Sequence, residues 1–160
     1  MIEVKESIVI KTTPEKIWNF LISLHQKDTY KKWHQKDHII LKILKGNGVD
    51  IGSIFYAEEY IGKRILRLKY KLVKAEYPFY LEYKPIFPSS IFANGMGSFK
   101  MEPIDNLHTK FIAYIKVGLK PKIFDWLWCK IITVFFKEED LVKHVKEEGE
   151  SIRKILENQE

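Results

Sequence analysis

Two residues near the C-terminus have the spacing of a ligand pair on one face of a helix. His144 and Glu148 are four positions apart in the charged stretch 138–158, whose apolar residues recur with helical periodicity. On a helical wheel both fall within the apolar stripe marked by Leu141 and Ile152, so both are expected to point towards the interior. A buried carboxylate is costly unless it is paired or bound to a metal. The pair therefore predicts either two ligands of one metal ion or a His–Glu ion pair that needs no metal.

A second group of candidate ligands lies in segment 30–38, with the sequence YKKWHQKDH. His34 and His38 are four positions apart, directly before a predicted strand, and Asp37 lies between them. Imidazole and carboxylate ligands suit zinc, and also iron or manganese. Asp37 could instead orient a histidine from behind. The alternative is a polar surface loop without a ligand role.

Two adjacent glutamates in a predicted strand give the third group. Side chains alternate along a strand, so Glu58 and Glu59 face opposite sides of the sheet. The face that Glu59 shares with Phe55 and Ala57 is smaller and more purely apolar, so we expect Glu59 to point inwards. The alternative is that both are surface carboxylates on an edge strand, because glutamate is rarely buried without a partner.

Composition excludes several classes of protein. The chain has 160 residues, 46% of them hydrophobic, which is enough for one globular domain spanning residues 1–160. The single cysteine, Cys129, excludes a disulfide framework and metal sites built from several thiolates. The 27 basic and 21 acidic residues give a net charge of +6, but the lysines are scattered among acidic residues. This pattern is typical of a solvated surface, so we expect no nucleic-acid partner.

The chain has no apolar run that would span a membrane and no signal peptide, so we expect a cytoplasmic protein. The stretch 122–136 is rich in apolar and aromatic residues flanked by lysines. We interpret it as core or as a lid over a cavity mouth. The alternative, contact with a membrane surface, is less favoured.

The elements that must position these groups follow from the hydrophobic pattern. A strand over 2–11 precedes a helix that begins at Thr13 and Pro14, and a second short helix covers 27–33. About six more strands, joined as consecutive hairpins, lead to a long C-terminal helix. An antiparallel sheet of this size curls, and one long helix can fill its concave face. The sequence thus predicts an α+β fold with about seven strands and a cavity between sheet and helix.

Segment 8–18, IVIKTTPEKIW, resembles the start of START-like, Bet v 1-type domains of the SRPBCC superfamily. In those domains a first strand is followed by a small polar residue, Pro-Glu and a hydrophobic-aromatic pair. The order of predicted elements also agrees over essentially the whole chain. This resemblance implies a helix-grip fold, in which a curved antiparallel sheet wraps around the C-terminal helix. It also implies that a hydrophobic small molecule binds in the cavity.

Within that superfamily, the three groups of candidate ligands resemble those of the diacetylphloroglucinol hydrolase branch. That branch holds a metal with a His, Glu, His, Glu set and hydrolyses a carbon–carbon bond between a carbonyl and an aromatic ring. The resemblance implies a zinc site and makes Tyr30 a match to a substrate-contacting residue. The implied ligands are His144, Glu148, Glu59 (less favoured, Glu58) and His38 (less favoured, His34).

Two functions from different classes are consistent with these features. The first is a zinc-dependent hydrolase that acts on an apolar or aromatic ketone-type substrate. The second is a non-catalytic carrier for a lipid, polyketide or other hydrophobic ligand, in which His144 and Glu148 form a buried ion pair. The sequence alone does not decide between the hydrolase and the carrier, so it does not show whether the protein is an enzyme. The aromatic residues expected to line the cavity are Phe55, Tyr70, Phe99, Phe111 and Trp126.

Overall fold

Alternating apolar and polar residues produce the strands of one antiparallel sheet. A computed structural model describes residues 2–26, 28–86, 95–117 and 137–158. In chain order, the elements in these residues are β1 (Ile2–Ile10), α1 (Pro14–Ser23), α2 (Thr29–Trp33), β2 (His38–Lys45), β3 (Ile54–Ile61), β4 (Arg64–Glu76), β5 (Tyr80–Pro85), β6 (Met96–Pro103), β7 (Thr109–Val117) and α3 (Glu138–Glu157).

The sheet has the strand order β1-β7-β6-β5-β4-β3-β2, and every neighbouring pair is antiparallel. Strands β2 to β7 therefore follow one another as a meander, while β1 returns to pair with β7. β1 and β2 lie at the two edges. The predicted fold class is confirmed: a seven-stranded antiparallel sheet, two short helices after β1 and a long C-terminal helix.

One face of α3 is buried against the sheet, chiefly along β1. The side chains of Val145, Ile152 and Leu156 are almost fully buried there. Burying an aliphatic side chain of this size contributes roughly 1.5–3 kcal/mol. The same face carries His144 and Glu148, which are also buried. The apolar stripe of the helix thus fixes two ionisable groups in the interior.

The turn between β3 and β4 contacts the start of α3. Gly62 in this turn has a φ of +62°, a conformation that favours glycine. A Cβ added to Gly62 would collide with the carboxylate of Asp140 in the first turn of α3. Glycine at this position therefore lets the hairpin approach the helix that carries the candidate ligands.

The start of α1 differs in one detail from the prediction. Thr13 is the N-cap residue and Pro14 follows it, as expected, but the Thr13 side chain makes no capping hydrogen bond to the backbone. The apolar and aromatic stretch 122–136 lies outside the described residues. Among the residues that the structure describes, no helix is long and apolar enough to cross a membrane.

Candidate metal centre and cavity

Four of the predicted ligands come together between the sheet and α3. His38 is the first residue of β2 and pairs with Glu59 in β3, so the two backbones are adjacent. His144 and Glu148 are one turn apart on the buried face of α3. One donor atom from each of these residues, here called the His–Glu quartet, lies within 4.8 Å of the others. All four could therefore contact one ion.

The closest contacts within the quartet join imidazole nitrogens to carboxylate oxygens. Nε2 of His38 is 2.9 Å from Oε1 of Glu148 and 3.8 Å from Oε2 of Glu59. Nε2 of His144 is 3.6 Å from the same Glu148 oxygen and 3.9 Å from the same Glu59 oxygen. The two nitrogens and two oxygens thus surround a common point.

Hydrogen bonds behind each imidazole ring fix which nitrogen faces that point. Nδ1 of His38 is 3.0 Å from the carbonyl oxygen of Tyr30, and Nδ1 of His144 is 3.1 Å from Oδ2 of Asp37. Carbonyl and carboxylate oxygens only accept, so Nδ1 of each ring carries a proton and donates it. In a neutral ring the Nε2 lone pair then faces the carboxylates. Lone pairs opposed in this way need a cation between them, either a proton or a metal ion.

Opposite charges within the quartet stabilise one another. Burial acts to lower the pKa of His144, but the carboxylates of Glu148 and Glu59 and the hydrogen bond to Asp37 outweigh it and raise that pKa to about 10. Burial acts to raise the pKa of Glu148, but His144 and His38 prevail and lower it to about 2. Without a metal, His144 and Glu148 therefore form a charged pair near pH 7. A divalent cation would take the place of the proton.

Strand alternation separates the two adjacent glutamates. Glu59 turns to the quartet, where its Oε2 accepts a hydrogen bond of 2.7 Å from the Tyr30 hydroxyl. Glu58 lies on the other face, where it accepts hydrogen bonds from the Tyr56 hydroxyl and from Nε of Arg67, the latter at 3.4 Å. The structure thus brings Glu59, and not Glu58, to the candidate centre.

His34 lies beside the quartet without joining it. Its Nδ1 accepts the backbone N–H of Asp37 at 3.1 Å, so Nε2 carries the proton of the neutral ring and faces Glu147 at 3.3 Å. Burial and the charge of His144 lower the pKa of His34, which favours the neutral ring. His34, Asp37 and His144 form a second close group of donors. Both His34 nitrogens therefore have partners outside the quartet. Through the hydrogen bond from the Asp37 N–H, the His34 ring supports the turn that holds Asp37.

Aromatic residues of α2 hold the quartet from one side. The Tyr30 ring stacks on the His38 imidazole, with ring centroids 3.9 Å apart. Trp33 donates from Nε1 to the carbonyl oxygen of Glu148 at 3.0 Å and meets His38 edge-on. Burial, followed by the charge of Glu59, raises the pKa of Tyr30 well above its usual value, so its hydroxyl stays protonated and donates to Glu59. Tyr30 therefore positions two members of the quartet.

A cavity of about 250 Å³ opens beside the quartet, between the sheet and α3. The cavity is bordered by Glu59, His144 and Glu148, so three of the four candidate ligands can contact a molecule bound in it. The rest of the wall is mainly apolar and aromatic. Its aromatic members include Trp33, Phe55, Tyr70, Tyr83 and Phe99.

Two of the predicted cavity residues are not in the described wall. The prediction for Phe111 is wrong: this residue is buried in the core, where its ring stacks on Phe99 with centroids 5.6 Å apart. Trp126, with the whole stretch 122–136 interpreted as core or as a lid, lies outside the described residues. Tyr83 was not among the aromatic residues predicted to line the cavity. Its spacing of two from the buried Leu81 on β5 is the signal that could have found it.

No known family profile and no curated protein matches this sequence. Solved structures do match it. A START superfamily protein from Mycobacterium smegmatis has a TM-score of 0.71 and 10% identity, with 100% of both chains covered. A point mutant of norcoclaurine synthase from Thalictrum flavum, in complex with a transition-state analogue, has a TM-score of 0.70 and 14% identity, with 99% of this chain and 96% of that chain covered.

The di-domain ARO/CYC protein BexL from the BE-7585A biosynthetic pathway also matches. Its TM-score is 0.65 and its identity 8%, with 98% of this chain and 47% of that chain covered. At such low identities the likeness concerns the fold. The resemblance to the diacetylphloroglucinol hydrolase branch stays a prediction. What the geometry and these structures together establish is that the chain has the START/Bet v 1-type helix-grip fold.

Proposed function

We propose that this protein is a metal-dependent hydrolase acting on an apolar or aromatic ketone-type substrate. One observation carries the proposal: two imidazole nitrogens and two carboxylates converge at the border of a mainly apolar cavity. The Nε2 atoms of His38 and His144 face the carboxylates because their Nδ1 atoms already donate elsewhere. An arrangement of this kind prepares four donors for a cation before the cation arrives.

The donor set fits a divalent transition metal. Two neutral imidazoles and two carboxylates suit zinc, and also iron or manganese. When bound, such an ion supplies a Lewis acid that polarises a carbonyl and lowers the pKa of water. Zinc is the metal we propose first, because it requires no redox partner.

The residues around the quartet would orient the metal ligands and bind the substrate. Tyr30 and Asp37 hold Glu59 and His144 through hydrogen bonds of 2.7 and 3.1 Å. Aromatic residues such as Phe55 and Phe99 would hold the organic part of the substrate and keep water away from it. A carbonyl group placed at the quartet would therefore sit at the border between a charged centre and an apolar wall.

Metal analysis of pairs of variants tests the metal site. Glu148→Gln removes a quartet ligand, whereas the control Glu150→Gln changes an exposed carboxylate that pairs with Arg153 on the same helix. After purification without chelators, we expect about one metal ion per chain in the wild type and in Glu150→Gln, and a loss of most metal in Glu148→Gln. Zinc, iron and manganese all at background in the wild-type protein would sink the proposal.

The alternative function is a carrier for a hydrophobic ligand, in which His144 and Glu148 form a buried ion pair. The size and apolar wall of the cavity favour it equally. A native mass spectrum with an organic ligand and no metal would support the carrier. Release of a carboxylic acid from aryl ketones, abolished by chelator and by Glu148→Gln, would support the hydrolase. Metal without any such turnover would leave the site metal-binding but count against hydrolysis of these ketones.

A further inference from the structure

Two tyrosines border the cavity with hydroxyls that the quartet does not use. Tyr70 in β4 and Tyr83 in β5 both line the cavity, and their rings meet edge-on with centroids 5.4 Å apart. Phe55 stacks on Tyr70, and Phe99 meets Tyr83 edge-on. The two tyrosine rings are thus held in fixed places by neighbouring aromatic rings.

Neither hydroxyl has a hydrogen-bond partner among residues 2–26, 28–86, 95–117 and 137–158. Both side chains are only half-buried, and neither hydroxyl oxygen is among the sealed, unpaired polar atoms of the described chain. Both oxygens are therefore open to the cavity. A tyrosine hydroxyl in an apolar environment usually has a partner, because leaving it unpaired is costly. These two hydroxyls are available to a molecule in the cavity.

The surroundings also keep both groups neutral. Burial raises the pKa of Tyr83, and burial raises that of Tyr70 well above its usual value, with added contributions from Tyr83, Glu59 and Glu148. Both tyrosines therefore keep their O–H protons across the physiological range and can donate as well as accept. A charged group would lose its hydration on entering this apolar space, which is costly.

We propose that Tyr70 and Tyr83 form a subsite for a neutral oxygen, such as a hydroxyl or carbonyl oxygen, on an otherwise apolar ligand. The subsite belongs to the same cavity as the proposed metal centre and names the ligand class that this cavity selects, so it builds on the proposed function. Its contacts are those of the cavity wall and do not require a metal. An oxygen-bearing ligand would be oriented by the tyrosine pair, while its apolar part packs on the aromatic rings.

Three probes of similar shape test the subsite: naphthalene, 2-naphthol and 2-naphthoate. Binding is measured by equilibrium dialysis with chelator present, so the outcome does not depend on the metal. Wild-type protein is expected to bind 2-naphthol more tightly than either naphthalene or 2-naphthoate. Tyr70→Phe and Tyr83→Phe keep the rings and remove one hydroxyl each. Each should weaken 2-naphthol binding roughly 2- to 10-fold, the equivalent of one hydrogen bond, and leave naphthalene binding unchanged.

Tyr60→Phe is the matched control, because Tyr60 lies on β3 with an exposed side chain. It should bind all three probes like the wild type. Unchanged naphthalene binding also shows that the variants are folded. The proposal is overturned if the wild type shows no preference for 2-naphthol, if it binds none of the probes, or if the variants lose both neutral probes equally. Absence of metal in the wild type would overturn the proposed hydrolase and leave this result standing.

Discussion

At the scale of single residues, Asp37 is the side chain with the clearest supporting role. Its carboxylate accepts from Nδ1 of His144 at 3.1 Å, and its backbone is fixed separately. The Asp37 N–H donates to Nδ1 of His34, and its carbonyl accepts from the Tyr60 N–H at 2.8 Å. A substitution of the side chain can therefore alter the hold on His144 without removing the turn.

Asp37→Asn is expected to weaken metal binding by about 10- to 100-fold. The amide oxygen can still accept a hydrogen bond from Nδ1 of His144. However, the negative charge that makes Nε2 of His144 a stronger ligand for a metal ion is lost. Metal affinity is measured by competition with a chromogenic chelator. The control Asp50→Asn changes a carboxylate of an exposed turn and should bind metal like the wild type. Equal affinities in both variants would show that Asp37 does not tune the site.

At the scale of elements, α3 combines a structural face with the quartet. Gly149 lies in the middle of this helix, directly after Glu148. Glycine inside a helix is destabilising by about 0.5–1 kcal/mol relative to alanine. A Cβ at this position would lie 3.5 Å from Cγ2 of Ile8, an ordinary van der Waals contact. The space between α3 and β1 thus accepts an alanine.

Gly149→Ala is expected to raise the free energy of unfolding by about 0.5–1 kcal/mol and to leave the metal content unchanged. The effect is measured by urea denaturation. Gly62→Ala supplies a contrast, because its φ of +62° and the contact with Asp140 should make alanine destabilising there. A destabilised Gly149→Ala would mean that α3 packs on Ile8 too tightly for a methyl group.

At the scale of the whole molecule, most of the architecture follows from local pattern. Alternation predicted the strands, consecutive hairpins predicted the order of β2 to β7 but not the pairing of β1 with β7, and the helical wheel placed His144 and Glu148 on the buried face. Alternation also placed Glu58 and Glu59 on opposite faces of the sheet, and the more apolar face, shared with Phe55 and Ala57, favoured Glu59 as the inward residue.

Other parts of the site depend on tertiary geometry that local pattern does not contain. His34 and His38 both direct Nε2 towards α3, but His34 meets Glu147 and His38 meets Glu148, and their spacing in the sequence does not show this difference. Likewise, the aromatic composition did not show that Phe111 lies in the core while Tyr83 borders the cavity. These positions are fixed by the register and curvature of the whole sheet.

The same tertiary assembly predicts how the metal-free protein responds to pH. The pKa of Glu148 falls from 4.5 to about 2 on folding, so its contribution to stability is present above about pH 4.5 and is lost as the pH falls towards 2. The pKa of His144 rises from 6.5 to about 10, so its contribution is present below about pH 6.5 and is lost as the pH rises towards 10. Both contributions are complete only between these limits.

We therefore expect the chelator-treated protein to be most stable between about pH 4.5 and 6.5. Protonation of Glu148 should lower the stability on the acidic side, and deprotonation of His144 should lower it on the alkaline side. The free energy of unfolding is measured by urea denaturation from pH 3 to 9. Glu148→Gln removes the carboxylate that both shifts depend on, so it should flatten the acidic decline and reduce the alkaline one. Glu150→Gln, at an exposed site, should keep the wild-type profile. If Glu148→Gln and Glu150→Gln gave parallel profiles, the quartet would not be the origin of the pH dependence, because Glu148 contacts both histidines whereas Glu150 pairs with Arg153.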